Sequence, residues 1–128
     1  MTNLLFVYGT LAPGDDAWPL LAPFTIGPSR PDAAAGALFD TGAGYPAATF
    51  AADASGLVHG VVVELDPDRH DEALTALDGY EGPQYRRITV RTTAGLDVFT
   101  YAWTDPLAGC VPITDGRWRR SFPPTSGR

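Results

Sequence analysis

A chain of 128 residues, 45% hydrophobic and 19% charged, has room for one folded domain and too much apolar content to stay disordered. Its net charge of −6 disfavours nucleic acid and anionic membranes as partners, and its single cysteine, Cys110, excludes an internal disulfide or a multi-cysteine metal site. No apolar run approaches the ~20 residues of a membrane span, and the first residues, Met1 to Val7, lack the basic segment of a secretion signal, so a cytoplasmic protein is expected.

The opening Leu4-Leu5-Phe6-Val7-Tyr8 is a short continuous apolar run ended by Gly9, the pattern of a strand buried on both faces. A loop over Leu11 to Asp16 follows, with a Pro-Gly turn, and Asp16 is placed to cap a short helix over Ala17 to Leu21. Gly36 to Asp40 and Ala47 to Phe50 read as two strands around the glycine-rich stretch 41–46. Leu57 to Leu65 gives the clearest strand, with Val61, Val63 and Leu65 facing one way and Gly60, Val62 and Glu64 the other.

The period then changes. Asp66-Pro67 supplies a cap and a proline at the first helical position; Ala73, Leu74 and Leu77 share one face, and Gly79 is expected to stop the helix. Ile88 and Val90 alternate with polar neighbours in a half-exposed strand, Ala94-Gly95 makes a turn, and Leu96 to Trp103 completes a hairpin. Six or seven short strands with one or two helices in one α+β domain favour a small mixed β-barrel, since closure removes exposed edges. The domain is expected to span residues 1–122, with 123–128 a frayed tail.

Ionisable catalysts are scarce. Of three glutamates, Glu72 sits on the solvated face of the helix near Arg69, and Glu64 ends a strand where an arginine of a neighbouring strand can pair with it. Glu81 is held among two glycines, a proline and two tyrosines in Gly79-Tyr80-Glu81-Gly82-Pro83-Gln84-Tyr85. A carboxylate in so apolar a turn is a candidate for a raised pKa, although spacing alone also fits an ordinary loop carboxylate. His59 reads as a satisfied barrel-wall residue and His70 as an exposed helix residue; they are too far apart in sequence for a metal site, and no cofactor is expected. Cys110, in a Gly-Cys-Val-Pro turn, reads as a small half-buried residue. The basic run Arg117-Trp118-Arg119-Arg120 reads as a solvated face, with a lid over an anionic substrate as the alternative. Finally, the strand that ends in Tyr8-Gly9-Thr10-Leu11 can aim successive backbone amides into one concavity, a nest for an anion or a carbonyl oxygen.

Together these segments carry a resemblance. Val7-Tyr8-Gly9-Thr10-Leu11, Gly36 to Asp40 with Gly44-Tyr45-Pro46-Ala47, Val58-His59-Gly60, Leu77-Asp78-Gly79-Tyr80-Glu81-Gly82 and Tyr85-Arg86-Arg87 occur in the order seen in the γ-glutamylcyclotransferase-like family. That family includes γ-glutamylamine cyclotransferases and plant avirulence-induced-gene-2-like proteins, and the likeness runs from about residue 4 to 103. It implies a barrel whose cavity holds a glutamyl group, with Glu81 as proton acceptor, the loop Tyr8, Gly9, Thr10 and Leu11 binding substrate, and Tyr85 lining the same pocket. The implied reaction releases 5-oxoproline and an amine from a small γ-glutamyl amine or amino acid. A monomer or weak homodimer is expected. Many relatives carry a basic residue after Leu11, where this chain has Ala12-Pro13-Gly14-Asp15-Asp16; that acidic rim favours a cationic or neutral leaving amine. Two other readings stay open: a non-catalytic barrel that binds a small ligand or a partner, and removal of a γ-glutamyl protecting group in a biosynthetic pathway.

Overall fold

The computed structural model describes residues 2–119. Along the chain come β1 (Leu4–Val7), α1 (Trp18–Leu21), β2 (Thr25–Asp40), β3 (Pro46–Phe50), β4 (Leu57–Leu65), α2 (His70–Glu81), β5 (Tyr85–Arg91), β6 (Asp97–Trp103) and β7 (Val111–Ile113). Single 3-10 turns precede β2 and α2, at Ala22–Phe24 and Pro67–Arg69. The strands form one sheet in the order β3-β2-β4-β1-β6-β5, with β7 attached to β2. All pairings are antiparallel except that of β1 with β6, where Leu5 stands beside Phe99. β3 lies against β6, so the sheet curls into the small, nearly closed mixed barrel that the strand count implied.

The apolar run of β1 is continuous because both of its faces are covered. Leu5 and Val7 join Val63, Leu65, Leu74 and Leu77 in a core between sheet and helix. Phe6 and Tyr8 point the other way, into a second core with Leu38, Val58, Val62 and Val98. Each fully buried leucine or phenylalanine of this kind contributes roughly 1.5–3 kcal/mol relative to exposure. β1 is thereby fixed from both sides, and the turn that leaves it starts from a rigid base.

Several local expectations are corrected. The strand expected over 36–40 is the end of a sixteen-residue strand, β2, whose first half is mostly exposed and therefore shows no alternation. Gly27 and Pro28 sit in a register shift between Ile26 and Arg30, which lets β2 continue along β4 past residues that ordinarily end a strand. β7 escaped notice because it has three residues, one of them Pro112. The helix α1 begins at Trp18 with Ala17 at its cap position and no side-chain capping bond, so Asp16 does not cap it. Asp66 does cap, accepting from the Asp68 amide at 3.0 Å, but it caps the 3-10 turn that leads into α2. Gly79 does not end α2. Packing of Ala73, Leu74 and Leu77 carries the helix through it to Glu81, overriding a glycine penalty of about 1 kcal/mol. The tail expected to be frayed lies outside the described residues.

Candidate active site

Three segments distant in sequence meet beside the end of β1: the turn that follows it, the last turn of α2 with the start of β5, and Tyr45-Pro46 at the head of β3. Between them lies a cavity of about 340 Å³.

The turn after β1 closes through the Ala12 amide on the Gly9 carbonyl at 3.0 Å and the Ala17 amide on the Thr10 carbonyl at 2.8 Å. The amides of Gly9, Thr10 and Leu11 donate in neither bond, and these three residues line the cavity. Position 9 requires glycine because the turn passes close to β3: a Cβ there would lie 2.8 Å from Pro46 Cγ, inside van der Waals contact. Pro46 in turn accepts a hydrogen bond from the Tyr85 hydroxyl at 2.5 Å. Turn, β3 and β5 are therefore locked to one another.

On the opposite wall, α2 stops because Gly82 takes φ +77°, a conformation that ordinary residues resist, while its amide donates to the Asp78 carbonyl at 3.1 Å. Glu81 is the last helical residue, mostly buried on the cavity wall. Among the described residues its carboxylate has no hydrogen-bond or ion-pair partner. Burial pushes its pKa up from 4.5 to about 7. Its place at a helix C-terminus acts in the same direction, since the helix dipole disfavours an anion there.

All five tyrosines of the chain line this one cavity. The Tyr8 hydroxyl donates to the Tyr101 carbonyl, and the Tyr101 hydroxyl to Asp78 Oδ1 at 2.6 Å, with Arg87 holding the other Asp78 oxygen at 3.1 Å. Tyr80 and Thr10 share a hydrogen bond of 3.0 Å across the mouth, and Tyr45 donates to Gln84 Oε1 at 3.3 Å. Burial above all holds the phenols of Tyr8 and Tyr85 well above their ordinary value, and the nearby Glu81 carboxylate adds to it. These phenols stay protonated and neutral, and Glu81 is the ionisable group of the wall that titrates near neutrality.

The structure thus brings Tyr8, Gly9, Thr10, Leu11, Glu81 and Tyr85 to one cavity. Sequence reasoning missed Tyr45, Tyr80, Gln84 and Tyr101; tyrosines packed into the segments around Glu81 and Pro46 were the available signal. The remaining candidates stand elsewhere. His59 lies in β4, its amide bonded to the Gly116 carbonyl at 2.8 Å. His70 is not exposed as expected: its side chain is 13% accessible, bonded through Nε2 to the Thr2 carbonyl at 3.0 Å and tilted against the Phe99 ring at 6.0 Å between centroids. Glu64 faces Leu4 and Ile26 across the sheet and forms no ion pair among the described residues. Cys110 is half-buried in the turn before β7. Arg119 pairs with Asp115 at 2.7 Å and Trp118 packs on the second core, and neither lines the cavity; Arg120 lies outside the described residues. Among those residues, no cluster of three His, Cys, Asp or Glu side chains is placed to hold a metal ion.

The sequence profile described as gamma-glutamyl cyclotransferase, AIG2-like, matches residues 5–120. The chain belongs to that family. Solved structures of similar fold include YkqA from Bacillus subtilis, 28% identical with a TM-score of 0.70 over 92% of this chain. The chain spans only 40% of YkqA's length. A uropathogenic E. coli-specific protein, c4763, is 20% identical with a TM-score of 0.72, covering 93% of this chain and 94% of its own. An AIG2-like protein from Mus musculus is 18% identical with a TM-score of 0.71, covering 94% and 90%. At those identities the last two speak for the fold alone. No curated protein sequence matches this AIG2-like chain. No helix among its described residues is long and apolar enough to cross a membrane.

Proposed function

We propose that this AIG2-like protein cyclises the glutamyl part of a γ-glutamyl amide, releasing 5-oxoproline and a free amine, with Glu81 carrying the proton. The observation that supports this best is Glu81 itself: a mostly buried carboxylate, unpartnered among the described residues, across one cavity from amides of the turn at Gly9 that donate to no described residue.

Cyclisation needs the substrate's α-ammonium to lose a proton, its nitrogen to attack the γ-carbonyl carbon, and the bond to the leaving nitrogen to break. Nucleophile and electrophile belong to one molecule, so a cavity gains rate by holding the chain bent, and effective molarities for such reactions are large. Glu81 takes the ammonium proton and returns it to the leaving nitrogen; the second proton that the attacking nitrogen sheds on forming the lactam follows the same path, so the amine departs as an ammonium and the carboxylate is regenerated. An ordinary glutamate is mismatched to an α-amino group by roughly 3.5 pH units, or about 5 kcal/mol. With Glu81 at about 7 the mismatch falls to about one unit. The amides of Gly9, Thr10 and Leu11 receive the glutamyl carboxylate and the oxygen that becomes negative, the latter a contribution of about 10²–10³ in rate where such donors have been removed. Tyr85, anchored to Pro46, walls the same space.

The test is release of 5-oxoproline from a panel of γ-glutamyl amines and γ-glutamyl amino acids. Release that depends on Glu81 supports the reading; no release from any member overturns it.

A further inference from the structure

The end of α2 runs between two glycines, Gly79 and Gly82, with Tyr80 and Glu81 held between them. A Cβ added at either glycine would meet open space, so neither position is wedged by its neighbours. Local backbone preference therefore does little to fix where the Glu81 carboxylate lies. Tyr80 contributes a hydrogen bond to Thr10 at 3.0 Å, but that bond is exposed at the mouth. The firmer tether is Asp78, the residue ahead of this stretch. Its carbonyl accepts from the Gly82 amide at 3.1 Å, and its carboxylate accepts from the Tyr101 hydroxyl at 2.6 Å and pairs with Arg87 at 3.1 Å.

Hairpin register explains this grip. Arg87 of β5 stands opposite Tyr101 of β6, so a guanidinium and a phenol emerge side by side on the face that α2 covers. The Arg87 bond is partly exposed and contributes little alone, whereas Tyr101 is 5% accessible. Tyr101 also reaches the opposite wall. Its backbone carbonyl accepts from the hydroxyl of Tyr8, the residue just before Gly9. One residue of β6 is thus tied by its hydroxyl to the helix end that bears Glu81, and by its carbonyl to the strand end that leads into the amides. Asp78 itself does not line the cavity and acts through these partners.

We propose that Asp78 and Tyr101 are positioning residues, a strut that keeps the Glu81 carboxylate in register with the amides that follow Gly9. The effect on turnover rests on the cyclotransferase reading; the effect on Glu81 itself does not.

The test observes Glu81 directly, by NMR titration of the full chain carrying isotopically labelled glutamate, its signal assigned through Glu81→Gln. The phenols of Tyr8, Tyr85 and Tyr101 feel the charge of Glu81, and all three stay protonated. Tyr101→Phe therefore changes no charge beside Glu81 and leaves the ring in the core. In the parent the carboxyl should titrate near 7. In Tyr101→Phe and Asp78→Ala the loosened turn admits water, and the value should drop by about one unit toward 4.5. Asp78→Asn makes the same charge change as Asp78→Ala but still offers an oxygen to Tyr101, so it should keep most of the elevation. In 5-oxoproline release kcat should follow the same order, falling about 10-fold in the first two variants with KM little changed.

Tyr101→Phe and Asp78→Ala variants that melt lower while Glu81 titrates as in the parent would make the strut a purely structural tie and overturn the proposal. An Asp78→Asn variant shifted as far as Asp78→Ala overturns it too, since charge rather than position would then be at work. Release by the parent, with unshifted titration in the variants, removes the strut and leaves the cyclotransferase reading. The expected shifts without release from any γ-glutamyl amide remove that reading and leave the strut.

Discussion

Two glutamates stand on the same helix in opposite surroundings. Glu72, in the first turn of α2, is 61% accessible and pairs with Arg69 at 3.0 Å. That bidentate partner lowers its pKa from the ordinary 4.5. Glu81, at the other end, is mostly buried, unpartnered among the described residues, and held at about 7. Even the helix dipole takes opposite sides, favouring the anion at Glu72 and opposing it at Glu81. The same side chain on one scaffold is thus a solvated ion at one end and a buried carboxyl that titrates near neutrality at the other. Environment, not residue type, makes the difference, and each term of it can be removed separately.

The largest effect should come from removing the proton acceptor. Glu81→Gln keeps shape and polarity, and turnover should fall by about 10²–10⁴, the range of general acid–base catalysis. Substrate binding should change little, because in the proposed function backbone amides hold the glutamyl group. Glu81→Asp should also fail, since a side chain shorter by one methylene withdraws the carboxylate by about 1 Å from the amine. Rates of 5-oxoproline release on matched substrates decide this; a Gln variant as active as the parent would remove Glu81 from the mechanism.

Acidity tests the same contrast. In the proposed function the carboxylate form is the working form, so kcat/KM should rise with pH along a limb with an apparent pKa near 7, falling about tenfold per unit well below it. A limb near 4.5 would mean that Glu81 behaves like Glu72.

Stability should move the other way from activity. A carboxyl whose folded pKa is raised from 4.5 to about 7 binds more protons folded than unfolded, so the fold loses stability as pH rises through that window. Glu81→Gln should therefore melt higher than the parent at pH 8, by at most about 3 kcal/mol, with the difference closing below pH 4.5. Thermal melts at the two pH values measure it; a Gln variant that melts lower at pH 8 would give Glu81 a structural role instead.

Much of this was legible in the sequence, for identifiable reasons. β1, β4 and the apolar face of α2 announce themselves because burial enforces their patterns, and the turn at Gly9 and the segment around Glu81 carry the family resemblance. The first half of β2 was illegible because exposed residues follow no period and its Gly27-Pro28 bulge looks like a strand end. Gly79 misled for the converse reason, since tertiary packing outweighs a local propensity. Tyr45, just ahead of β3, and Tyr101, in β6, reach the cavity beside Glu81 only after the sheet curls, and no spacing along the chain encodes that approach.

What surrounds Glu81 can be probed more gently. Tyr85→Phe removes the hydroxyl that donates to the Pro46 carbonyl, leaving that acceptor unpaired and freeing β5 from β3 at the cavity edge. The loss should be about 1 kcal/mol in stability, with a several-fold drop in turnover and no change in the acid limb. A variant as active as the parent would reduce Tyr85 to a core-filling ring.

The smallest effect belongs to the other glutamate. Glu72→Gln removes an exposed ion pair that solvent screens, so turnover should match the parent and the melting temperature should change little at neutral pH. The sign of its pH dependence is informative all the same. A carboxyl whose folded pKa is lowered contributes stability above its unfolded value, and that contribution is lost as pH falls through the folded one. Any deficit of Glu72→Gln should therefore be present at pH 7, shrink in high salt, and vanish in acid below pH 4.5. The difference made by Glu81→Gln also vanishes in acid but has the opposite sign at pH 7, with the variant the more stable partner. Parallel melts of the two variants across pH, referred to one parent, put both predictions in a single measurement. Deviations of the same sign at pH 7 would mean that the two ends of α2 do not differ as their surroundings require.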